Sequence, residues 1–382
     1  MNSSIYFHIP YCKQACTYCD YHFSTNLNTK EQVVNFMLDE LVQQSNVLPW
    51  NETKISSIYF GGGTPSLLNH DQIQRFIQAV QRHFKWSKNH IEITLEANPD
   101  DITPTNLSKW FSAGINRLSA GIQSFHKNEL KKSNRAHNAL ESKRALEFIH
   151  NSPFENYSID LMYGMPGSNL KTWQENLENV LKFNPPHLSC YSLTIENGTV
   201  LKHQVDNGQI VLPNEEQIRS QYRYLTQWAK TNRYDHYELS SFSREDYRSI
   251  HNQHYWSYRP YLGVGPGAHS FDGKRRFWNI SNNNLYLKGS AITEEELSLS
   301  EQINERLIVR LRTADGFRFD NDIPQIDKDN PLFKRLLNNV ENGFKKEIIH
   351  PMPNGFRILP ENWITSDAII ASLMIDHDED HS

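Results

Sequence analysis

The stretch Ile5-Tyr6-Phe7-His8-Ile9-Pro10-Tyr11-Cys12-Lys13-Gln14-Ala15-Cys16-Thr17-Tyr18-Cys19-Asp20-Tyr21 decides how the rest of the chain is read. An apolar strand runs into a loop that holds three of the chain's four cysteines, spaced C-x3-C-x2-C. Thiolates are soft ligands, and three on one short loop suit an iron–sulfur cluster. A [4Fe–4S] cluster bound through Cys12, Cys16 and Cys19 keeps one iron free for an exogenous ligand. Structural zinc prefers four ligands in paired spacings, for which His22 is the neighbouring candidate. An odd, clustered trio argues against a disulfide framework. The fourth cysteine, Cys190, reads as a core residue on a later strand.

Outward from that loop, strands and helices alternate about six times. Strand patterns cover 4–9, 55–60, 91–96, 117–123, 157–163 and 187–193, with helical spacing of apolar residues between them. This predicts parallel strands joined by crossover helices. A doubly wound sheet and a partial TIM-type barrel both satisfy it. Cys12, Gly61–Gly63, Glu96, Gln123 and Asp160 all stand at strand C-terminal ends, which a barrel gathers on one rim. The expected fold is therefore α/β, a partial (β/α)6 barrel. The pattern changes after about residue 198. Residues 234–282 are rich in aromatics and glycine, and 291–382 read as helices plus a hairpin, a small winged-helix-like α+β module. The expected division is 1–235, 236–290 and 291–382.

Composition narrows the function. A net charge of −5 over 382 residues, with an acidic end at Asp376-His377-Asp378-Glu379-Asp380, predicts no nucleic-acid binding. No apolar run approaches the ~18 residues of a membrane span. Strand patterning begins at residue 4, so no signal peptide is expected. Sparse, clustered cysteines suit a reducing cytoplasm.

The segments Gly61-Gly62-Gly63-Thr64-Pro65, Leu95-Glu96-Ala97-Asn98-Pro99, Asn116–Phe125 and Ile159–Gly167 are each compatible with ordinary turns and solvated strand ends. Together with the cysteine loop they resemble the radical S-adenosylmethionine (SAM) superfamily. Within it they resemble the branch of oxygen-independent coproporphyrinogen III oxidases and HemW-type haem chaperones. The resemblance implies a three-quarter barrel with SAM on the open iron. It places Tyr6, Gly62, Gly63, Thr64, Glu96, Gln123, Arg135 and Asp160 around SAM, with Tyr18 packed near the cofactor. No catalytic residue is assigned.

Three features favour the chaperone type. The oxidases carry a further cysteine where Tyr21 stands, and the chaperones an aromatic, usually Phe. The oxidases also have an N-terminal arm before the cluster strand. Finally, His251-Asn252-Gln253-His254-Tyr255-Trp256 matches the HNxxYW signature of the haem-chaperone type. Imidazole is a usual haem ligand and aromatics pack on the porphyrin face. The resemblance thus implies haem near His251, with His254 and His269 as alternative ligands. It implies haem-accepting partner proteins and a reductant for the cluster, and it leaves a homodimer open. The competing reading is oxidative decarboxylation of coproporphyrinogen III.

Overall fold

The computed structural model describes residues 2–86, 91–324, 326–327 and 329–375; the acidic end at 376–380 lies outside them. Six parallel strands form its centre: β1 Asn2–Ile9, β2 Lys54–Gly62, β3 Glu92–Ala97, β4 Arg117–Gln123, β5 Tyr157–Tyr163 and β6 His187–Ser192. They pair in chain order, each with the next. A doubly wound sheet reverses direction at a switch point. Sequential order without reversal is barrel winding, so the barrel expectation holds.

Alternation along the strands sorts the two faces. Ile5, Phe7 and Ile9 point outward to the helices, and the Phe7 ring meets Phe76 at 4.6 Å. Ser4, Tyr6 and His8 point inward, as do Ser57 and Tyr59, Thr94 and Glu96, and Ser158 and Asp160. The outer layer comprises α1 Lys30–Gln44, α2 His70–His83, α3 Pro104–Ala113, α4 Lys127–Lys132, α5 Ala139–His150 and α6 Leu170–Phe183. Local chemistry fixes where several begin. Asn69 with Gln72, Asn138 with Glu141, and Asn169 with Thr172 close reciprocal caps at the starts of α2, α5 and α6. Gly114, in left-handed backbone, ends α3.

After β6 come α7 Val200–Asp206 and α8 Glu215–Thr231, then the hairpin β7 Asp235–Glu238 and β8 Ser241–Ser243, which pairs with β6. The aromatic- and glycine-rich segment supplies the other edge. Helix α9, Ile250–Trp256, leads into β9 Tyr261–Val264, which lies parallel to β1. Antiparallel β10 His269–Phe271 and β11 Arg275–Trp278 follow. After α10 Asn283–Leu287, β12 Thr293–Glu296 pairs with β11.

Helix α9 closes the bottom of the barrel. Backbone amides of Ile250 and His251 donate to the buried Glu92 carboxylate at 3.0 Å each. His251 is 1% exposed. The C-terminal region combines α11 Leu299–Arg310, α12 Pro331–Lys345 and α13 Ser366–Leu373 with a small sheet of β13 Phe317–Arg318, β14 His350–Met352 and β15 Gly355–Arg357. It docks on the barrel through buried Trp363, whose ring meets His236 edge-on at 4.6 Å, and through Tyr222, which donates to the Pro360 carbonyl at 2.6 Å.

Candidate functional site at the barrel rim

The cysteine loop has no regular secondary structure, so its shape comes from bonds to its surroundings. The Ile9 carbonyl accepts from both Tyr11 and Gly63 amides at 2.9 Å. Cys12 donates to the Ser24 carbonyl at 3.0 Å, and Thr17 to the Ser133 carbonyl at 3.1 Å. The Lys13 ammonium reaches Asp100 at 2.7 Å and also pairs with Asp101, tying the loop to the end of β3. The Asn134 amide donates to the Ala15 carbonyl at 2.7 Å. Held this way, Cys12, Cys16 and Cys19 all line one cavity of about 460 Å³ at the strand C-terminal ends. Its size falls in the usual range for small-molecule sites.

The thiols suit metal held through sulfur. None is in a disulfide. Burial raises the Cys12 thiol against a hydrogen bond with Thr64, and burial pushes Cys19 up to about 11. Ligation would displace those protons, since the thiolate is the ligand. Among the described residues, no three His, Cys, Asp or Glu groups converge tightly enough for a single metal ion. His22, the fourth ligand a zinc site here would need, bonds instead to Asn283 at 2.7 Å. Cys190 is buried on the outward face of β6, away from the cavity.

The glycine run forms a cradle. A Cβ at Gly63 would sit 2.7 Å from the Tyr11 carbonyl oxygen and 2.9 Å from Cys12 Sγ. Gly62 has φ +106°, a conformation that L side chains rarely adopt. Thr64 and Pro65 continue the cavity wall.

Across the cavity lies a polar floor. Tyr59 donates to Glu96 at 2.8 Å, yet burial still pushes Glu96 up to about 7. Burial also raises Asp160, opposed by hydrogen bonds from Ser119 at 2.8 Å and Ser158 at 3.1 Å. Arg135 donates to Asn98 at 2.7 Å and to the Gly121 carbonyl at 3.0 Å, and approaches Cys16 Sγ and the Tyr18 hydroxyl at 3.3 Å. Gln123 takes a left-handed backbone, φ +61°. Its Oε1 and the Arg135 Nε are buried without a hydrogen-bond partner. Buried polar atoms normally have partners, so these two mark capacity for a polar ligand. SAM carries an amino group and ribose hydroxyls to donate and a carboxylate to accept. Glu96, Asp160, Gln123 and Arg135 match that set.

Most of the expected residues therefore meet: Tyr18, Gly62, Gly63, Thr64, Glu96, Gln123, Arg135 and Asp160 line the same cavity as the cysteines. Tyr6 and His251 do not. Tyr6 lies beneath, bonded to His8 at 3.2 Å and packed under Gly61. His251 sits on α9 with both ring nitrogens engaged, Nδ1 with Ser57 and Nε2 with Tyr255, each at 3.0 Å. His254 Nδ1 bonds Ser4 at 2.5 Å. His269 is exposed and stacks on Trp278 at 5.6 Å. Tyr59, Asn98, Ser119 and Tyr191 also line the cavity and were absent from the expected set. Period-2 alternation gives a signal for Tyr59 and Ser119, which share strand faces with Gly61 and with Gly121 and Gln123.

Comparisons with known proteins agree with this geometry. The Radical SAM superfamily matches over residues 6–180. The heme chaperone HemW of Lactococcus lactis subsp. lactis is 33% identical over 326 residues, 84% of each chain. Its Bacillus subtilis namesake is 32% identical over 320 residues, 82% of this chain and 84% of the relative. The Escherichia coli coproporphyrinogen III oxidase structure has the same fold, with TM-score 0.81 at 20% identity, over 98% of this chain and 90% of that one. The rim chemistry and these matches converge: the chain belongs to the HemW-like family of the radical SAM superfamily.

Proposed function

We propose that this protein is a haem chaperone that holds a SAM-ligated [4Fe–4S] cluster and passes haem to haem-dependent proteins. The observation that carries it is identity of 33% across 84% of both chains with a relative named heme chaperone HemW. Cys12, Cys16 and Cys19 hold the cluster. Glu96 and Asp160 take the donor groups of SAM, and Arg135 and Gln123 its acceptor groups. When bound, the cluster and SAM supply one-electron chemistry; the chain's residues orient the cofactor and exclude water from it.

Haem is assigned to the His251–Trp256 helix on its motif. Both ring nitrogens of His251 are occupied, so coordination there requires Ser57 or Tyr255 to release it. His269 offers an exposed alternative. The acceptors are haem-dependent proteins, and a reductant charges the cluster. A reducing cytoplasm suits three unpaired thiols. Among the described residues no helix is long and apolar enough to cross a membrane.

The test separates carrier from enzyme. Reconstituted protein with SAM and reductant is given coproporphyrinogen III, and in parallel haem-loaded protein is mixed with apomyoglobin. Haem transfer without decarboxylation supports the proposal. Catalytic decarboxylation without haem transfer overturns it.

A further inference from the structure

A second cavity, of about 620 Å³, lies against the outer side of the cysteine loop. Its lining includes Thr17, Lys131, Lys132, Val200, Gln204 and Ile210. Thr17 is the wall between the two cavities, because its neighbours Cys16 and Tyr18 line the first. It is clamped from both sides. Its amide donates to the Ser133 carbonyl just past α4, and its carbonyl accepts from the Leu201 amide of α7 at 2.8 Å. The groove thus comes within one residue of a cluster ligand.

The groove's chemistry is basic with an apolar edge. Lys131 and Lys132 in the lining are exposed, and neither forms an ion pair among the described residues; Lys202 on α7 is paired with Asp206. Val200, in the lining, is 56% exposed, and Ile210 lies beside it. Unpaired cations around an exposed apolar spot attract an acidic protein and raise its association rate. The barrel mouth belongs to SAM, so an electron must reach the cluster from another side.

We infer that this groove, on α4 and the start of α7, docks an acidic one-electron carrier protein that reduces the cluster through the Cys16–Thr17 wall. The inference rests on the cluster reading above. In the step the carrier loses one electron and the cluster gains it, with no covalent bond formed or broken.

The test uses the full chain with reconstituted cluster and a reduced flavodoxin, an acidic flavin carrier. Binding is read by interferometry and reduction by bleaching of the cluster absorbance under anaerobic conditions. The double variant K131E/K132E should weaken binding and slow reduction about tenfold at low salt, and the wild-type rate should fall as salt rises. Dithionite, which needs no docking, should reduce both proteins alike. Equal binding and rates for wild type and variant, or no binding by wild type, overturn the inference. Failure of wild type to assemble a cluster would count against the cluster reading instead, while the binding arm still decides the groove. Because both lysines are exposed, iron content and dithionite response show whether the variant is intact.

Discussion

The Tyr59 hydroxyl donates to Glu96 at 2.8 Å while the Tyr59 ring stacks on His251, centroids 4.8 Å apart. One side chain therefore touches both the floor of the rim cavity and helix α9. His251 in turn bonds Tyr255, whose ring meets Tyr261 at 4.5 Å. Any movement of α9 that frees His251 must disturb the partner of Glu96.

Tyr59→Phe keeps the stack and removes the donor. A hydrogen bond of this kind contributes about 1 kcal/mol, so SAM should bind roughly fivefold more weakly. Burial raises the Glu96 pKa to about 7 even with the Tyr59 hydroxyl holding it down. Loss of the hydroxyl raises that value further, so the defect should grow as pH falls from 8 to 7. Calorimetric titration of SAM at the two pH values checks this.

Gly63→Ala should prevent cluster assembly while leaving the barrel folded. The added Cβ meets backbone at Tyr11 and the sulfur of Cys12, neither of which can move without breaking the loop's bonds. Gly198→Ala, which meets nothing within 4 Å, is the control. Its positive φ of +82° costs about 1 kcal/mol but leaves iron binding intact. Iron and sulfide content after reconstitution, alongside circular dichroism, distinguishes the two.

The cysteines should divide three to one. Serine at Cys12, Cys16 or Cys19 should lose most bound iron. Cys190→Ser should retain it and instead lose about 1–3 kcal/mol of stability, since it places a hydroxyl in an apolar core. Chemical denaturation and iron analysis read the two effects separately.

Much of this was legible from the sequence. The six-fold alternation and the rim motifs led to the barrel because parallel strands and crossover helices leave strong, separate periodicities. The edge after α8 was not legible. Strands such as Tyr261–Val264 and His269–Phe271 are too short to show period-2 alternation, and α9 spans barely two turns. The burial of His251 also escaped notice, because it depends on Glu92, Ser57 and Tyr59, which lie 159 to 194 residues away in the chain. Tyr6 reads as a rim residue by motif, yet its strand position puts it one layer below.

Acid should weaken the contact between the C-terminal region and the barrel through His236. Burial against Phe242 and Trp363 lowers its pKa from 6.5 to about 4. The unfolded chain takes the proton first, so this residue's contribution is complete above pH 6.5 and declines as pH falls towards 4. His236→Phe has no proton to take. Wild type should lose stability relative to that variant by about 1.4 kcal/mol per pH unit across this window. Because the comparison is between two proteins at each pH, the other titrating groups cancel.

The most direct test of the central claim is a haem titration of anaerobically reconstituted protein, with wild type beside His251→Ala and His269→Ala. Soret absorbance and haem retention on a sizing column are the readouts. The account predicts that wild type retains haem and that His251→Ala releases it, while His269→Ala behaves as wild type. Retention by His251→Ala with loss in His269→Ala would keep the carrier but move its ligand to the exposed stack on Trp278. Failure of wild type to retain any haem would contradict the account.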